Sequence, residues 1–65
     1  MEIKINGEIR QVNAGLTVAA LLAGLGIEPK NLAIERNGEF LNEHEYEISL
    51  TDGDKLEIVR FVGGG

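Results

Sequence analysis

The sequence begins MEIKINGEIRQVNAGLTVAALLAGL, residues 1–25, and within this stretch the spacing of apolar residues changes from every second position to every third or fourth. In the first part, Ile3 and Ile5 alternate with charged residues, which is typical of a strand with one buried face. The Asn6-Gly7 pair supplies the two positive-φ positions that a type I′ turn requires. Residues 1–12 are therefore predicted to form a β-hairpin.

The return strand of this hairpin, residues 8–12, has a less regular pattern. Ile9 and Val12 have opposite parity, so in a regular strand they point to opposite faces of the sheet. Both can face one core only if the strand contains a bulge. The sequence leaves the register of this strand open.

A short helix is predicted after the hairpin. Four apolar residues fall at i, i+3, i+4 and i+7 and share one helical face: Val18, Leu21, Leu22 and Leu25. Thr17 is the expected N-cap, because its hydroxyl can accept a hydrogen bond from a free backbone N–H of the first turn. Gly24 or Gly26 can supply a left-handed residue at the C-terminal end, and Pro29 prevents the helix from resuming.

Strand and turn patterns occupy the rest of the chain. A third strand is predicted over residues 32–37 and ends in a second Asn-Gly turn at Asn37-Gly38. Phe40 and Leu41 begin a short return strand, so a second hairpin is predicted after the helix. The acidic segment 42–47 is expected to form a turn or one 3₁₀ segment. A tight turn at Thr51–Asp54 then leads into the longest strand, residues 55–62.

The order β-β-α-β-β-β predicts an α+β roll. We expect a mixed sheet of four to five strands with one helix across one face. The first and last strands are the most apolar, so they are expected to lie side by side in the middle of the sheet. Residues 1–62 would form the domain, and residues 63–65 a flexible glycine tail.

Composition restricts the chemistry that the chain can perform. Sixty-five residues allow one domain, and the chain contains no cysteine and a single histidine, His44. Disulfides, thiolate catalysis and cysteine-based metal sites are therefore excluded. Because His44 is flanked by glutamates on an expected exposed turn, it is interpreted as a surface residue. No nucleophile motif or phosphate-binding loop is present, so neither an enzyme active site nor a metal site is predicted.

Charge and hydropathy indicate the kind of partner and the compartment. Six Lys and Arg against 11 Asp and Glu give a net charge of −5. This charge has the wrong sign for nucleic acid, and the basic residues do not cluster, so a basic partner surface is favoured instead. No stretch approaches about 18 apolar residues, and the N-terminus lacks the apolar run of a signal peptide. We expect a cytoplasmic protein without membrane association.

The C-terminus is the most informative part of the sequence. Gly63, Gly64 and Gly65 are consecutive, and Gly65 carries the terminal carboxylate. Fully extended, three glycines reach about 10 Å, and without Cβ atoms they form the thinnest possible peptide. Such a tail suits insertion into a narrow channel of a partner enzyme, which would then act on the carboxylate. A frayed terminus is the alternative interpretation.

The strand before the tail is apolar on both faces. Leu56, Ile58 and Val62 lie on one face, and Val59 and Phe61 lie on the other. A single helix can cover only one face. Val59 and Phe61 are therefore expected to lie exposed at the base of the tail as a binding surface. Cover by residues of a β-hairpin, or by a second copy of the chain, is the alternative.

These features together resemble a known family. They are the Leu16-Thr17-Val18 helix start, the strand Ile34–Asn37, the turn Asp52-Gly53-Asp54 and the ending Val59–Gly65. In this order, and with this length, they resemble the sulfur carrier proteins of thiamine biosynthesis, which are small ubiquitin-like β-grasp proteins. The resemblance covers the whole chain.

The resemblance implies a cycle performed by other proteins on Gly65. An ATP-dependent adenylyltransferase, similar to ubiquitin-activating enzymes, would convert the Gly65 carboxylate to an acyl-adenylate. Sulfur from a cysteine desulfurase would then arrive as a persulfide and leave a thiocarboxylate, which serves thiazole synthase. The carrier itself would catalyse nothing and bind no cofactor, since ATP is used by the partner.

Other residues take their expected roles from the same resemblance. Gly64 and Gly63 would enter the partner with Gly65, although a Gly-Gly ending suffices in the family, so the need for Gly63 is open. Val59, Phe61 and Val62 are the predicted partner interface.

Three other functions remain open at this stage. The small subunit of molybdopterin synthase uses the same terminal thiocarboxylate but is usually longer. A ubiquitin-like modifier would be joined to target lysines through Gly65. A plain interaction module would use the Val59 and Phe61 surface and leave the tail idle.

Overall fold

Five strands, one α-helix and one 3₁₀ helix make up residues 1–61, the part of the 65-residue chain that the computed structural model describes. In chain order they are β1 (Glu2–Ile5), β2 (Glu8–Gln11), α1 (Val18–Gly24), β3 (Leu32–Arg36), β4 (Glu39–Phe40), the 3₁₀ helix (Glu43–Glu47) and β5 (Lys55–Arg60). The sheet order is β2-β1-β5-β3-β4. Strands β1 and β5 are parallel and the other neighbouring pairs are antiparallel.

This architecture confirms the predicted α+β roll, including the central position of the two terminal strands. The last strand, predicted over residues 55–62, ends at Arg60. The domain boundary at residue 62 and the glycine tail at 63–65 lie outside the described residues and stay predictions.

Both Asn-Gly pairs form the predicted turns. Asn6 and Gly7 have φ values of 48° and 84°, and Asn37 and Gly38 have values of 52° and 88°. Positive φ at both central residues matches the twist of a two-residue hairpin to the twist of its strands.

The register left open for β2 is regular. Its residues pair in unbroken order with β1, from Glu2 opposite Gln11 to Ile5 opposite Glu8. The parity conflict is resolved by exposing one of the two apolar residues: Ile9 is 60% exposed, while Val12 lies half-buried against the core just after the strand. No bulge is needed, because the sheet does not have to bury Ile9.

The helix begins and ends where its capping residues predict. The Thr17 hydroxyl accepts a hydrogen bond from the Ala20 N–H at 3.1 Å. At the other end Leu25 is the C-cap, and Gly26 has a φ of 71° and supplies the left-handed residue. Gly24, the alternative, is instead the last helical residue.

The core lies between α1 and one face of the sheet. Ten apolar side chains are buried there: Ile3, Ile5, Val18, Leu21, Leu22, Ile34, Tyr46, Leu50, Leu56 and Ile58. Because Leu56 and Ile58 of β5 face this core, the alternate residues of β5 lie on the opposite face, which we call the outer face.

Two asparagines extend the hydrogen bonding of β5 with their side chains. Asn6 Oδ1 accepts from the Ile58 N–H at 2.7 Å, and Asn6 Nδ2 donates to the Ile58 carbonyl at 3.3 Å. On the other side, Asn37 Oδ1 accepts from the Lys55 N–H at 3.0 Å. The sequence predicts these asparagines only as turn residues, but their amides also join the turns to the central strand.

We expect Asn6→Gly to lower the free energy of unfolding by about 1–2 kcal/mol, because it removes both bonds to Ile58. Glycine keeps the positive φ of the turn, so backbone strain does not contribute. Asn31→Gly is the matched control, since Asn31 has a φ of 55° and its side chain makes no hydrogen bond within residues 1–61. Chemical denaturation should separate the two variants, and equal losses would contradict the role of the amide.

Asp54 lies at the turn before β5 and is only 5% exposed. Among residues 1–61 it is the charged residue that is buried. Its carboxylate accepts from the Thr51 N–H at 2.8 Å, the Thr51 hydroxyl at 3.0 Å and Asn37 Nδ2 at 3.0 Å. Arg36 donates to the same carboxylate through Nε at 2.9 Å and lies 2.8 Å away through a second guanidinium nitrogen. Five donors therefore hold this carboxylate between the turn and β3.

Candidate functional site

The end of β5 that carries the tail is hydrogen-bonded on both sides. We call Ile58–Phe61 the tail root. The Phe61 N–H donates to the Asn31 carbonyl at 2.8 Å, and Arg60 lies opposite Leu32 of β3. On the β1 side, Asn6 bonds both backbone groups of Ile58. The root is thus fixed by the sheet up to Phe61, and the four following residues begin from that fixed point.

The outer face of the tail root is apolar and open. Val59 is 48% exposed and Phe61 is 59% exposed. Their predicted exposure is confirmed, and cover by residues of a β-hairpin is wrong within the described part of the chain. Val62, the third predicted interface residue, lies outside the described residues. The role of these side chains in binding stays a prediction.

Two carboxylates adjoin this apolar surface. Glu57 of β5 and Glu35 of β3 are directly opposite each other in the antiparallel register, and Val59 is opposite Ala33. Directly opposed like charges repel each other across a sheet. Lys55 of β5 lines the same depression as both carboxylates, so part of this repulsion is offset within the chain. The basic partner surface favoured by the net charge of −5 stays a prediction.

The other face of the tail root opens into a groove of about 390 Å³ beside the end of α1. Its floor is apolar and consists of Ile5, Leu25, Ile27 and Ile58. Arg10 and Arg60 line its sides together with Glu8. We call this feature the arginine groove. The prediction that the basic residues do not cluster is wrong for these two arginines, because the fold brings together residues that are far apart in the sequence.

Sequence reasoning missed both arginines of the groove. Arg10 lies opposite buried Ile3, and Arg60 has the same parity in β5 as buried Leu56 and Ile58, so both point to the helix side of the sheet. That parity is visible in the sequence. The position of β2 and β5 on either side of β1 also follows from the predicted hairpin and the predicted central pair, so a signal for the groove was present in the sequence.

The sequence also singled out the three tail glycines, as a predicted site, and His44, as a surface residue. Gly63, Gly64 and Gly65 lie outside the described residues. His44 is exposed on the 3₁₀ helix. Within residues 1–61, no group of three or more His, Cys, Asp or Glu side chains is arranged to hold a metal ion. Over the same residues, no helix has the length and apolar character needed to cross a membrane.

The fold and the exposed root of a glycine tail define a small ubiquitin-like β-grasp protein. The crystal structure of a thiamine biosynthesis protein (ThiS) from Geobacter metallireducens matches with a TM-score of 0.83 and 32% identity, and both chains are covered completely. The model of the ThiS family matches residues 3–65. The chain belongs to the ThiS family. The predicted family, the sulfur carriers of thiamine biosynthesis, is therefore confirmed.

Two curated relatives support this assignment. The chain is 46% identical over 50 residues to the sulfur carrier protein ThiS of Bacillus subtilis, covering 75% of this chain and 76% of that protein. It is 48% identical over 66 aligned positions to a thiazole synthase of Paramagnetospirillum magneticum. The alignment includes all of this chain but only 20% of the synthase, so this chain spans about a fifth of that relative.

Proposed function

We propose that this chain carries sulfur for thiazole formation in thiamine biosynthesis, as a thiocarboxylate on Gly65. The observation that carries the proposal is the match of the ThiS family to residues 3–65, which includes the glycine tail. The hydrogen-bonded tail root adds support, because it gives the tail a fixed origin from which a partner can take it up.

The chemistry requires activation before sulfur transfer. A carboxylate is a poor electrophile, so its oxygen first attacks the α-phosphate of ATP and releases pyrophosphate. A persulfide sulfur then attacks the acyl-adenylate and displaces AMP, which leaves an acyl disulfide. A second thiol cleaves the S–S bond, forms a disulfide with the donor and frees the thiocarboxylate.

The chain is suited to carry such a group. It contains no cysteine, so no internal thiol can attack the acyl-adenylate and form a thioester. The nucleotide chemistry and the sulfur supply belong to partners: an ATP-dependent adenylyltransferase and a cysteine desulfurase. Thiazole synthase is the proposed acceptor of the sulfur, and the cytoplasm is the proposed compartment. The carrier acts as a co-substrate and not as an enzyme.

Intact-mass measurement tests the proposal directly. The chain is incubated with the cognate adenylyltransferase, ATP and a persulfide source. We expect one oxygen of the chain to be replaced by sulfur, and only when all three components are present. A mass that stays unchanged in the complete mixture would contradict the proposal.

The adenylyltransferase is proposed to dock on the outer face of the tail root. We expect Phe61→Asp to weaken this docking at least about tenfold, because it places a charge in the apolar surface beside Val59. Titration calorimetry with the isolated enzyme measures the effect. The fold should persist, since Phe61 is already 59% exposed.

Ile48→Asp is the matched control for Phe61→Asp. Ile48 is also half-exposed, at 50%, but follows the 3₁₀ helix and lies outside the tail root. Its replacement should leave the affinity within about twofold. Equal affinities for the Phe61→Asp variant and the wild type would remove the outer face from the docking surface.

A further inference from the structure

The two faces of the tail root differ in their charged side chains. On the outer face, Val59 and Phe61 adjoin the opposed carboxylates of Glu35 and Glu57. On the helix side, the arginine groove places two guanidinium groups beside an apolar floor. The outer face combines carboxylates with Lys55, whereas the groove presents two arginines and one carboxylate, so the two faces offer a partner different surfaces.

The arginine groove exists because the helix is short. Seven residues of α1 span about 10 Å, which is less than the length of the sheet beneath them. Leu25 and Ile27, just after the helix, are only partly buried where they pack on the core. The sheet end near the tail root is thus left with an apolar depression instead of a packed helix.

The arginines of the groove are free for a partner within the described part of the chain. The ion pair found in residues 1–61 joins Arg36 to Asp54, at the opposite end of β5. Arg10 and Arg60 are both exposed, and Glu8 is the carboxylate that shares the groove with them. In a chain of net charge −5, this is a local positive region that fits carboxylates on another protein.

We propose that the arginine groove docks thiazole synthase, through a segment whose apolar side chain enters the groove and whose carboxylates pair with Arg10 and Arg60. The inference rests on the proposed function, in which two enzymes act on the same tail in turn. The four residues after Phe61 reach at most about 14 Å, so each enzyme must pack close to the tail root. The outer face is assigned to the adenylyltransferase, and the groove provides a separate surface, with two arginines beside an apolar floor, for the synthase.

Charge reversal tests the assignment. The dissociation constant is measured between the carrier and isolated thiazole synthase. We expect Arg10→Glu and Arg60→Glu each to weaken binding about tenfold, and the double variant about a hundredfold. Raising the salt concentration should weaken the wild type more than the double variant, because salt screens the lost charge pairs.

The double variant Lys4→Glu/Lys55→Glu is the matched control. It changes the net charge by the same amount but on the outer face, where Lys4 and Lys55 are neighbours in the β1–β5 pairing. We expect it to bind the synthase within about threefold of the wild type. Thermal unfolding of all variants checks that each is folded.

Two results would overturn the proposal. In the first, both double variants weaken binding equally, so that only net charge matters. In the second, the arginine variants bind the synthase as the wild type does, or lose affinity only for the adenylyltransferase. The binding measurement uses the unmodified carboxylate form, so it is independent of whether the wild type forms a thiocarboxylate. Failure of the proposed function appears only in the mass measurement.

Discussion

Deletion of Gly65 is expected to reduce thiocarboxylate formation by more than about a hundredfold, because the carboxylate moves back by one residue, about 3.5 Å. An adenylyltransferase that reads the position of the carboxylate relative to the tail root cannot follow it, since hydrogen bonds to Asn31 and Asn6 fix that root. Intact-mass measurement after incubation with the enzyme, ATP and a persulfide source gives the rate.

Extension of the chain by one glycine is the counterpart of the deletion. It retains every residue of the wild type and moves the carboxylate forward instead of back. We expect a comparable loss, which would show that the position of the carboxylate matters and not a missing contact. Because both changes lie beyond β5, the thermal midpoint should match the wild type. Unchanged thiocarboxylate formation in the shortened chain would defeat the assignment of Gly65.

The largest effect on stability is expected for Asp54→Ala, which should lower the free energy of unfolding by about 3 kcal/mol. The substitution leaves Arg36 without its ion-pair partner and removes the acceptor for Thr51 and Asn37. The Arg36 side chain is 21% exposed, so water can hydrogen-bond to its guanidinium and compensate part of the lost stability. A domain of this size is stable by only about 3–10 kcal/mol, and the loss is therefore a large fraction of the total.

Asp52→Ala is the matched control in the same turn. Asp52 is exposed and accepts one hydrogen bond, from the Glu2 N–H at 2.7 Å. Its replacement should cost about 1 kcal/mol or less. Urea denaturation compares the two variants, and similar losses would show that the buried network around Asp54 adds little.

The pH dependence gives a second measure of the same network. Burial by itself raises the pKa of Asp54, but the hydrogen bonds from Thr51, Asn37 and Arg36 outweigh it and hold the pKa below its usual value. The folded state therefore binds this proton less tightly than the unfolded state. The contribution of Asp54 to stability is present at neutral pH and is lost as the pH falls through the folded-state pKa. The difference between the wild type and Asp54→Ala should accordingly shrink in acid.

Local features of the fold could be predicted from the residues themselves. The Asn6-Gly7 and Asn37-Gly38 turns, the Thr17 cap and the apolar face of α1 depend on interactions between residues close in the chain. Backbone sterics and capping bonds act over a few residues, so a pattern read along the sequence is sufficient. The register of β2 was not decided in this way, because whether Ile9 is buried depends on what covers it.

The buried network of Asp54 shows where sequence reasoning stopped. The Thr51–Asp54 turn was predicted, but the burial of one of its two aspartates was not. Asp54 is buried because Arg36 and Asn37, at the end of β3, lie against the turn. A carboxylate can be buried only when hydrogen-bond donors of the protein replace the water molecules that solvate it. Three of the five donor atoms at Asp54 belong to Arg36 and Asn37, more than a dozen residues away in the chain.

By itself, the sequence determined the α+β class, the family and the glycine ending, since each is expressed in neighbouring residues or in their order along the chain. Only the tertiary structure decided which side chains share a surface at the tail root. Arg10 and Arg60 are separated by most of the chain and meet because β1 and β5 pair in parallel, with β2 beside β1. The adjacency of β1 and β5 was predicted from their apolar residues, but the groove that joins the two arginines also depends on how Leu25 and Ile27 pack where α1 ends. That packing is set by burial of the whole core, whose free energy depends on residues from the entire chain.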